Sequence, residues 1–377
     1  MTSPRRPCSR APAPSRSPAP KHPRLSVLMS VYNGERYLRE AVESILDQTF
    51  TDFEFIVVDD GSTDSTWSIL SDYAARDARI VLIRNPVNIG LTRSLNKGLA
   101  LAQGEYIARQ DADDVSLPRR LERQLSYLEQ HREVGGLGTW AEIIDEENTA
   151  VRTIRTPTEH AEICAQLLLW NPLIHTSLCA RRSSIDVIGG YNAEIPYAQD
   201  YDLWWRLSRV QRLACLPQVL VKKRERTPGS ITDRHQAEQA ACARQISLRI
   251  VQETAGLSHP SLASYERLWW TMHGRPEKWQ PGDARSLAPL WRYLSAQPPY
   301  RLVWGPWTVR LACSVAFLQP GESLYLAWVA HRYFKQHWVW LELAKTWGRR
   351  CLPMSVRALY RVLRRRLSLP PVSGHAC

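Results

Sequence analysis

Three carboxylates fall within four positions at Asp111-Ala112-Asp113-Asp114, directly after the apolar run Tyr106-Ile107-Ala108. Acids this close repel one another. At the end of a buried strand they require a counter-charge, and a divalent cation supplies one. Mg²⁺ and Mn²⁺ take oxygen ligands, and Mg²⁺ usually combines one or two carboxylates with substrate phosphates. The pattern therefore points to a metal-held phosphate substrate. Taken alone, an acidic triplet more often caps a helix or sits solvated in a turn.

The elements around the triplet decide between these readings. Leu25 to Val31 is a short apolar run that suits a buried parallel strand, closed by a turn at Asn33-Gly34. Leu38, Ala41, Val42, Ile45 and Leu46 then recur at helical spacing. Phe53 to Val58 is a second strand, ending at Asp59-Asp60-Gly61-Ser62, and Asp64 begins a helix that runs through Ala75. Ile80 to Ile83, a helix over roughly 91–103 and a strand from Glu105 to Arg109 complete the alternation. Such alternation predicts an α/β fold, a mostly parallel sheet with helices on both faces. Ligands on such sheets bind beyond the carboxyl ends of the strands. Tyr32-Asn33, Asp59-Asp60 and Asp111 to Asp114 all fall there, and their convergence is a stronger signal than any one of them. Further on, Leu117 to His131 reads as a helix, Gly135 to Gly138 as a sharp change of direction, and Asp202 to Val210 as a short helix.

Composition bounds the rest. At 377 residues and a net charge of +12, the chain favours anionic partners such as phosphates, acidic lipid or nucleic acid. Residues 1–24 are rich in Pro, Ser and Arg, contain no acid, and read as a disordered leader with no apolar segment for a secretory signal. A catalytic domain is expected over 25–235. From 236 to 377 the chain reads as a helical, basic extension that holds ten of the 15 tryptophans. The packing of those aromatics on the protein is one account of it. A membrane-surface element is the other, since Trp favours the headgroup zone and basic residues favour anionic lipid. The eight cysteines form no CxxC pair and no zinc-like spacing, which suits a reducing compartment. No stretch has the roughly 18 uncharged apolar residues that would span a bilayer.

Ser26 to Asn33 with Tyr37-Leu38, then Ser44 to Thr49, then Val57-Val58-Asp59-Asp60-Gly61-Ser62-Thr63-Asp64 resemble the opening of the family 2 glycosyltransferases. Asn88-Ile89-Gly90, Asn96-Lys97-Gly98, Gly104 to Ile107 and Asp111 to Asp114 continue the resemblance in order and spacing across about 25–235. It implies the GT-A fold, a nucleotide-diphosphate-sugar donor, a divalent cation (Mn²⁺ or Mg²⁺) and inversion at the anomeric carbon. It implies site roles too. Ser30, Tyr32, Asp60, Arg93 and Asp111 would bind the donor, Tyr32 against the base and Asp60 at base or ribose. Asp113, with Asp111, would hold the metal. Gln199-Asp200-Tyr201-Asp202 resembles the segment that carries the general base, with Gln199 in place of the usual Glu, so Asp200 is the expected base. Asp202 is expected to brace its helix. Many relatives carry a His in a Tyr-Arg-x-His-like segment where this chain reads Lys223 to Thr232 without one. Arg224 or Arg226 is expected to neutralise diphosphate instead, and His175 to line the acceptor side.

The acceptor expected is a saccharide or a lipid-linked molecule, and no nucleic acid. The expected location is the cytoplasm, with the basic end at the inner face of the cell membrane. The competing class is a basic protein that binds nucleic acid or a membrane surface without transferase activity. A nucleotidyltransferase is disfavoured because no Gly-rich, Lys-bearing loop follows the first strand, and a dinucleotide oxidoreductase because no G-x-G-x-x-G does.

Overall fold

β1 (Leu25–Val31) and β2 (Phe53–Asp59) are buried at every position, because helices cover the sheet above and below. Residues of one parity, Val27, Met29 and Val31, join a core with α1 (Leu38–Leu46), α2 (Thr66–Arg76) and α4 (Arg120–Gln130) through Val42, Leu70 and Leu125 among others. The opposite parity of the strands, Leu28, Ile56 and Val58, faces α3 (Leu91–Leu99). There the helix lies so close that a Cβ on Gly98 would stand 2.3 Å from Leu28 Cδ1. Each leucine removed from water at this depth contributes about 2 kcal/mol.

In this computed structural model, residues 23–225, 231–297, 300, 303–304, 306–308, 311–312, 320–336, 339 and 342 are described. The leader up to residue 22, Arg226, Trp338, Trp340, Trp347 and the basic end lie outside them.

β3 (Ile80–Arg84), β2, β1 and β4 (Tyr106–Arg109) run parallel in that spatial order. The sheet continues through β8 (Cys179–Arg181), antiparallel to β4, to β6 (Val134–Ile144), β9 (Arg212–Arg224) and the two-residue β5 (Val115–Ser116). β7 (Ala150–Ile154) pairs with β6. One expectation is corrected here. Gly135 to Gly138 do not turn the chain; they lie inside β6. A side chain at Gly135 would meet Gln211 Oε1 at 2.2 Å, so the glycine admits a close neighbour instead of bending the chain.

Contacts divide the chain into two units. The first comprises Met1–Arg155, Ile174–Pro196 and Val210–Pro228 and holds the whole sheet, together with the short α6 (Arg182–Val187). The second comprises Thr156–Leu173, Tyr197–Arg209 and Gly229–Cys377. Its described elements are helical: α5 (His160–Gln166), α7 (Gln199–Val210), α8 (Ile231–Arg234), α9 (Gln236–Ala255), α10 (His259–Met272), α11 (Asp283–Ser286), α12 (Ala288–Ala296) and α13 (Pro320–Phe334). Four tryptophans after residue 236, Trp269, Trp279, Trp291 and Trp304, are at most 3% exposed. Each donates its indole N–H to an oxygen within the unit, Trp279 to the Glu322 carboxylate and the others to backbone carbonyls. These four follow the packing account. Among the described residues no helix is long and apolar enough to cross a membrane.

Candidate active site

Parallel pairing puts the ends of β1, β2 and β4 at one edge of the sheet in the first unit. Tyr32, Asp60 and Asp111 to Asp114 follow those three ends. The loops there are laced together. Asn33 and Gly34 donate their backbone N–H groups to Ser62 Oγ and Thr66 Oγ1, each at 2.9 Å, and the Thr63 N–H donates to Asn33 Oδ1 at 2.8 Å. Gly61 has φ +75°, and a Cβ there would strike the Val87 carbonyl carbon at 2.5 Å, so only glycine fits. Ser30 is buried in β1 opposite Val58. Tyr32 stands 41% exposed at the strand end, a free aromatic face. Arg93 is exposed on α3 and has no hydrogen bond or ion pair among the described residues.

Asp60 is held hard by its own chain. Its Oδ1 accepts from Asn85 Nδ2 at 2.8 Å and the Ile89 N–H at 2.9 Å, and its Oδ2 from the Gly90 N–H at 2.9 Å. Lys97 Nζ reaches Asn85 Oδ1 at 2.7 Å and completes the chain of bonds. Asp60 therefore fixes the 85–90 loop at the edge. Its neighbour Asp59 accepts from the Ser62 N–H at 3.0 Å and pairs with Arg84 at 3.3 Å.

The 111–114 loop rests on a buried polar cradle. Arg120, fully buried on α4, donates to the carbonyl of Arg109 at 2.7 Å, to Gln110 Oε1 at 3.0 Å and to Ser116 Oγ at 2.8 Å. Burial pulls Arg120 down to about 10, still charged at neutral pH. Gln110 Nε2 in turn donates to the carbonyls of Asp111 and Asp114. Arg224 closes the other side. Its backbone N–H donates to Asp114 Oδ1 at 2.8 Å and its Nε to the Asp113 carbonyl at 3.1 Å. Its remaining guanidinium donors go to Glu40, Asn148 and the carbonyls of Asp145 and Glu146, under the Tyr37 ring at 4.2 Å. Every donor of the guanidinium thus has a protein acceptor, and in this conformation Arg224 is a clamp on the acidic loop with none left for a phosphate. Arg109, Gln110 and Arg120 of the cradle escaped the sequence reading, which named Arg224 as a diphosphate contact and not as a clamp. The available signal was polar side chains at core positions of a strand and a helix.

The three acids differ. Asp111 pairs with the buried Arg109 at 2.6 Å, and its N–H meets Thr176 Oγ1 at 3.1 Å. Burial alone would raise its carboxyl, but Arg109, with Lys223 and Arg120, holds it below the usual carboxylate range. Asp113 is half-buried. Asp114, 2% exposed, is pushed well above that range by burial and by the charges of Asp113 and Asp111. The cluster therefore sets a carboxyl favoured in its charged form beside one that resists charge, and its donors are hard oxygens. Both properties fit a divalent cation. Among the described residues no three His, Cys, Asp or Glu side chains group as a metal cage. Half-buried Lys223 lies on β9 one position beyond the Val115–Lys222 pair, which sets it opposite Asp114. His175 Nε2 is 2.8 Å from the Tyr191 hydroxyl, and burial, aided by Arg109, drives the imidazole down to about 3, so it is neutral.

Asp200 belongs to the second unit. It opens α7, where its Oδ1 accepts from the Tyr201 N–H at 2.9 Å and its Oδ2 from Asn171 Nδ2 at 2.7 Å. Asp202, fully buried, pairs with Arg206 of its own helix at 2.7 Å and with Arg249 of α9, so it braces the helix.

Comparison with known proteins bears on the family and the fold. The profile of Glycosyl transferase family 2 matches residues 26–189. The amylovoran biosynthesis glycosyltransferase AmsE of Erwinia amylovora is 34% identical over 202 residues, 53% of this chain and 75% of AmsE. The putative glycosyltransferase EpsE of Bacillus subtilis is 41% identical over 187 residues, 49% of this chain and 66% of EpsE. An uncharacterized glycosyltransferase of Haemophilus influenzae is 37% identical over 214 residues, 54% of this chain and 65% of that protein. The chain thus spans just under two thirds of the last two. Among solved structures, S. aureus TarS 1–349 in complex with UDP-GlcNAc matches with a TM-score of 0.54 at 17% identity, over 85% of this chain and 91% of that one. The sheet and its helices are those of a GT-A fold. The chain belongs to glycosyltransferase family 2.

Proposed function

We propose that this protein transfers a sugar, with inversion, from a nucleotide-diphosphate donor to a saccharide or lipid-linked acceptor. The observation that carries the reading is the cluster of three acids at 111–114, cradled by Arg109, Gln110 and Arg120 at the carboxyl edge of a GT-A sheet. Tyr32 offers its exposed ring to the base, and Ser30, Asp60 and Arg93 flank the donor. Asp113, with Asp111, would share a divalent cation with the diphosphate; when bound, that cation offsets charge on the leaving group. Asp200 takes the proton of the attacking hydroxyl. Its two hydrogen bonds, from Asn171 and the Tyr201 N–H, hold the carboxyl in one orientation. His175, uncharged, would line the acceptor side as a hydrogen-bonding group. The name of AmsE supports a polysaccharide under construction as the acceptor. The net charge of +12 supports work at an anionic inner membrane face.

The test is a panel of nucleotide sugars (UDP-GlcNAc, UDP-glucose, UDP-galactose, GDP-mannose, dTDP-rhamnose) scored for nucleoside diphosphate release, with Mn²⁺ and with EDTA. Slow, metal-stimulated hydrolysis of one donor is expected even without acceptor. Failure of every donor to bind or hydrolyse would leave the reading without support. A steep loss of binding to nucleic acid or anionic vesicles with salt, and no donor hydrolysis, would favour the basic-binding alternative.

A further inference from the structure

The stretch after α5 is buried yet not helical, so its carbonyls need partners from elsewhere. It has them. The carbonyl of Ala165 accepts from Trp304 Nε1 at 2.9 Å, that of Leu167 from the Tyr201 hydroxyl at 2.7 Å, and that of Leu169 from Trp269 Nε1 at 2.9 Å. The carbonyl of Leu168 accepts from Ser247 Oγ at 2.6 Å and from the Tyr265 hydroxyl. Leu167, Leu168 and Leu169 are all fully buried. Side chains from α7, α9 and α10 thus pin this strip of backbone, and two residues on it delivers Asn171.

The Asn171 amide has a defined orientation. Its Oδ1 accepts from the Leu173 N–H at 3.0 Å, which turns its Nδ2 toward Asp200 Oδ2 at 2.7 Å. With the Tyr201 N–H on Oδ1, both oxygens of Asp200 are oriented. We infer that Asn171 is the positioning residue for Asp200: it aims the carboxylate, and the pinned 165–171 strip holds Asn171 in place. This rests on Asp200 being the base. It also gives the helices after residue 236 a purpose in the reaction without any contact with substrate.

The experiment compares Asn171→Ala, Asn171→Asp and Asp200→Asn on the full chain, using the panel donor that the wild type turns over fastest. Asn171→Ala is expected to lower kcat about 10- to 100-fold, as a misplaced group does, with the donor KM within about twofold. Loss of a bond to the ionised carboxylate favours its protonated form, so the acid limb of the kcat–pH profile should move to higher pH. Asn171→Asp keeps the acceptor for the Leu173 N–H and removes the donor to Asp200. It should therefore lose at least as much activity as the alanine variant, and it carries the test if Asn171→Ala does not fold. Near wild-type kcat in Asn171→Asp, or an acid limb that stays in place, would overturn the inference. Wild-type turnover by Asp200→Asn would instead remove Asp200 as the base. An inactive Asp200→Asn beside unaffected Asn171 variants would sink only the positioning role.

Discussion

Two pairs of adjacent aspartates sit at the same sheet edge and have opposite circumstances. At Asp59-Asp60 the oxygens are met by Ser62, Arg84, Asn85, Ile89 and Gly90, all from the surrounding loops. At Asp113-Asp114 the scaffold grips the backbone through Gln110 and Arg224, the Asp114 carboxyl accepts one bond from the Arg224 N–H, and the neighbouring charges of Asp113 and Asp111 push that carboxyl up. The difference teaches that a scaffold can set adjacent acids against one another, and the proposed cation site is the pair where that happens. Where the protein satisfies the charges itself, the acids build the architecture.

The contrast can be broken most severely at Asp113. Asp113→Ala should cut turnover by about 100-fold or more, as expected when charge stabilisation at the leaving group is lost, while the thermal midpoint stays near the wild-type value. An active Asp113→Ala would erase the distinction. Asp60→Ala should lower stability as well as weaken donor binding. It removes the acceptor of the Ile89 N–H and one of the two acceptors of Asn85 Nδ2 and of the Gly90 N–H, so chemical denaturation should show a loss of about 1–3 kcal/mol. An Asp60→Ala protein of unchanged stability would mean that those bonds do not hold the loop.

Arg224→Lys sharpens the same comparison. A single ammonium cannot replace the fork that reaches Glu40, Asn148 and three carbonyls, and a stability loss of about 2–3 kcal/mol is expected in urea titration. A variant of full stability whose only defect is a raised donor KM would return Arg224 to the phosphate-contact role. The smallest effect concerns His175. Because burial and Arg109 hold its imidazole down to about 3, it stays neutral from pH 5 to 8. Its stabilising contribution as a neutral ring is present above the unfolded value and lost as pH falls through the folded one. A stability profile of the wild type compared with His175→Gln should therefore show no His175-dependent step on the alkaline side of pH 7, and a divergence only in acid.

The parallel half of the fold was legible because its strands are buried on both faces and read as unbroken apolar runs, Leu25–Val31 and Phe53–Asp59 above all. The later strands were not. β6 begins Val134-Gly135-Gly136, where glycine in a strand looks like a turn until the Gln211 side chain is seen filling its space. β5 has two residues, too few for any period, and β9 carries Pro217 within its length. The second unit recruits Thr156–Leu173 and Tyr197–Arg209, whose composition does not differ from that of their neighbours. In the site, the acids were readable from their clustering, whereas the residues that hold them were not. Arg224 meets Glu40 across 184 positions, and such a pairing has no local trace.

The lacing of the 32–37 and 59–66 loops has a practical corollary. Asn33, Gly34 and Glu35 each bond to the second loop, which bonds back through Thr63 and Ser65. Lengthening either loop would unzip both, so their amide protons should exchange with deuterium as one cooperative block. On the proposed role of Tyr32 against the base, attempts to retarget the protein toward a different nucleotide are therefore better made by point changes there than by grafting loops.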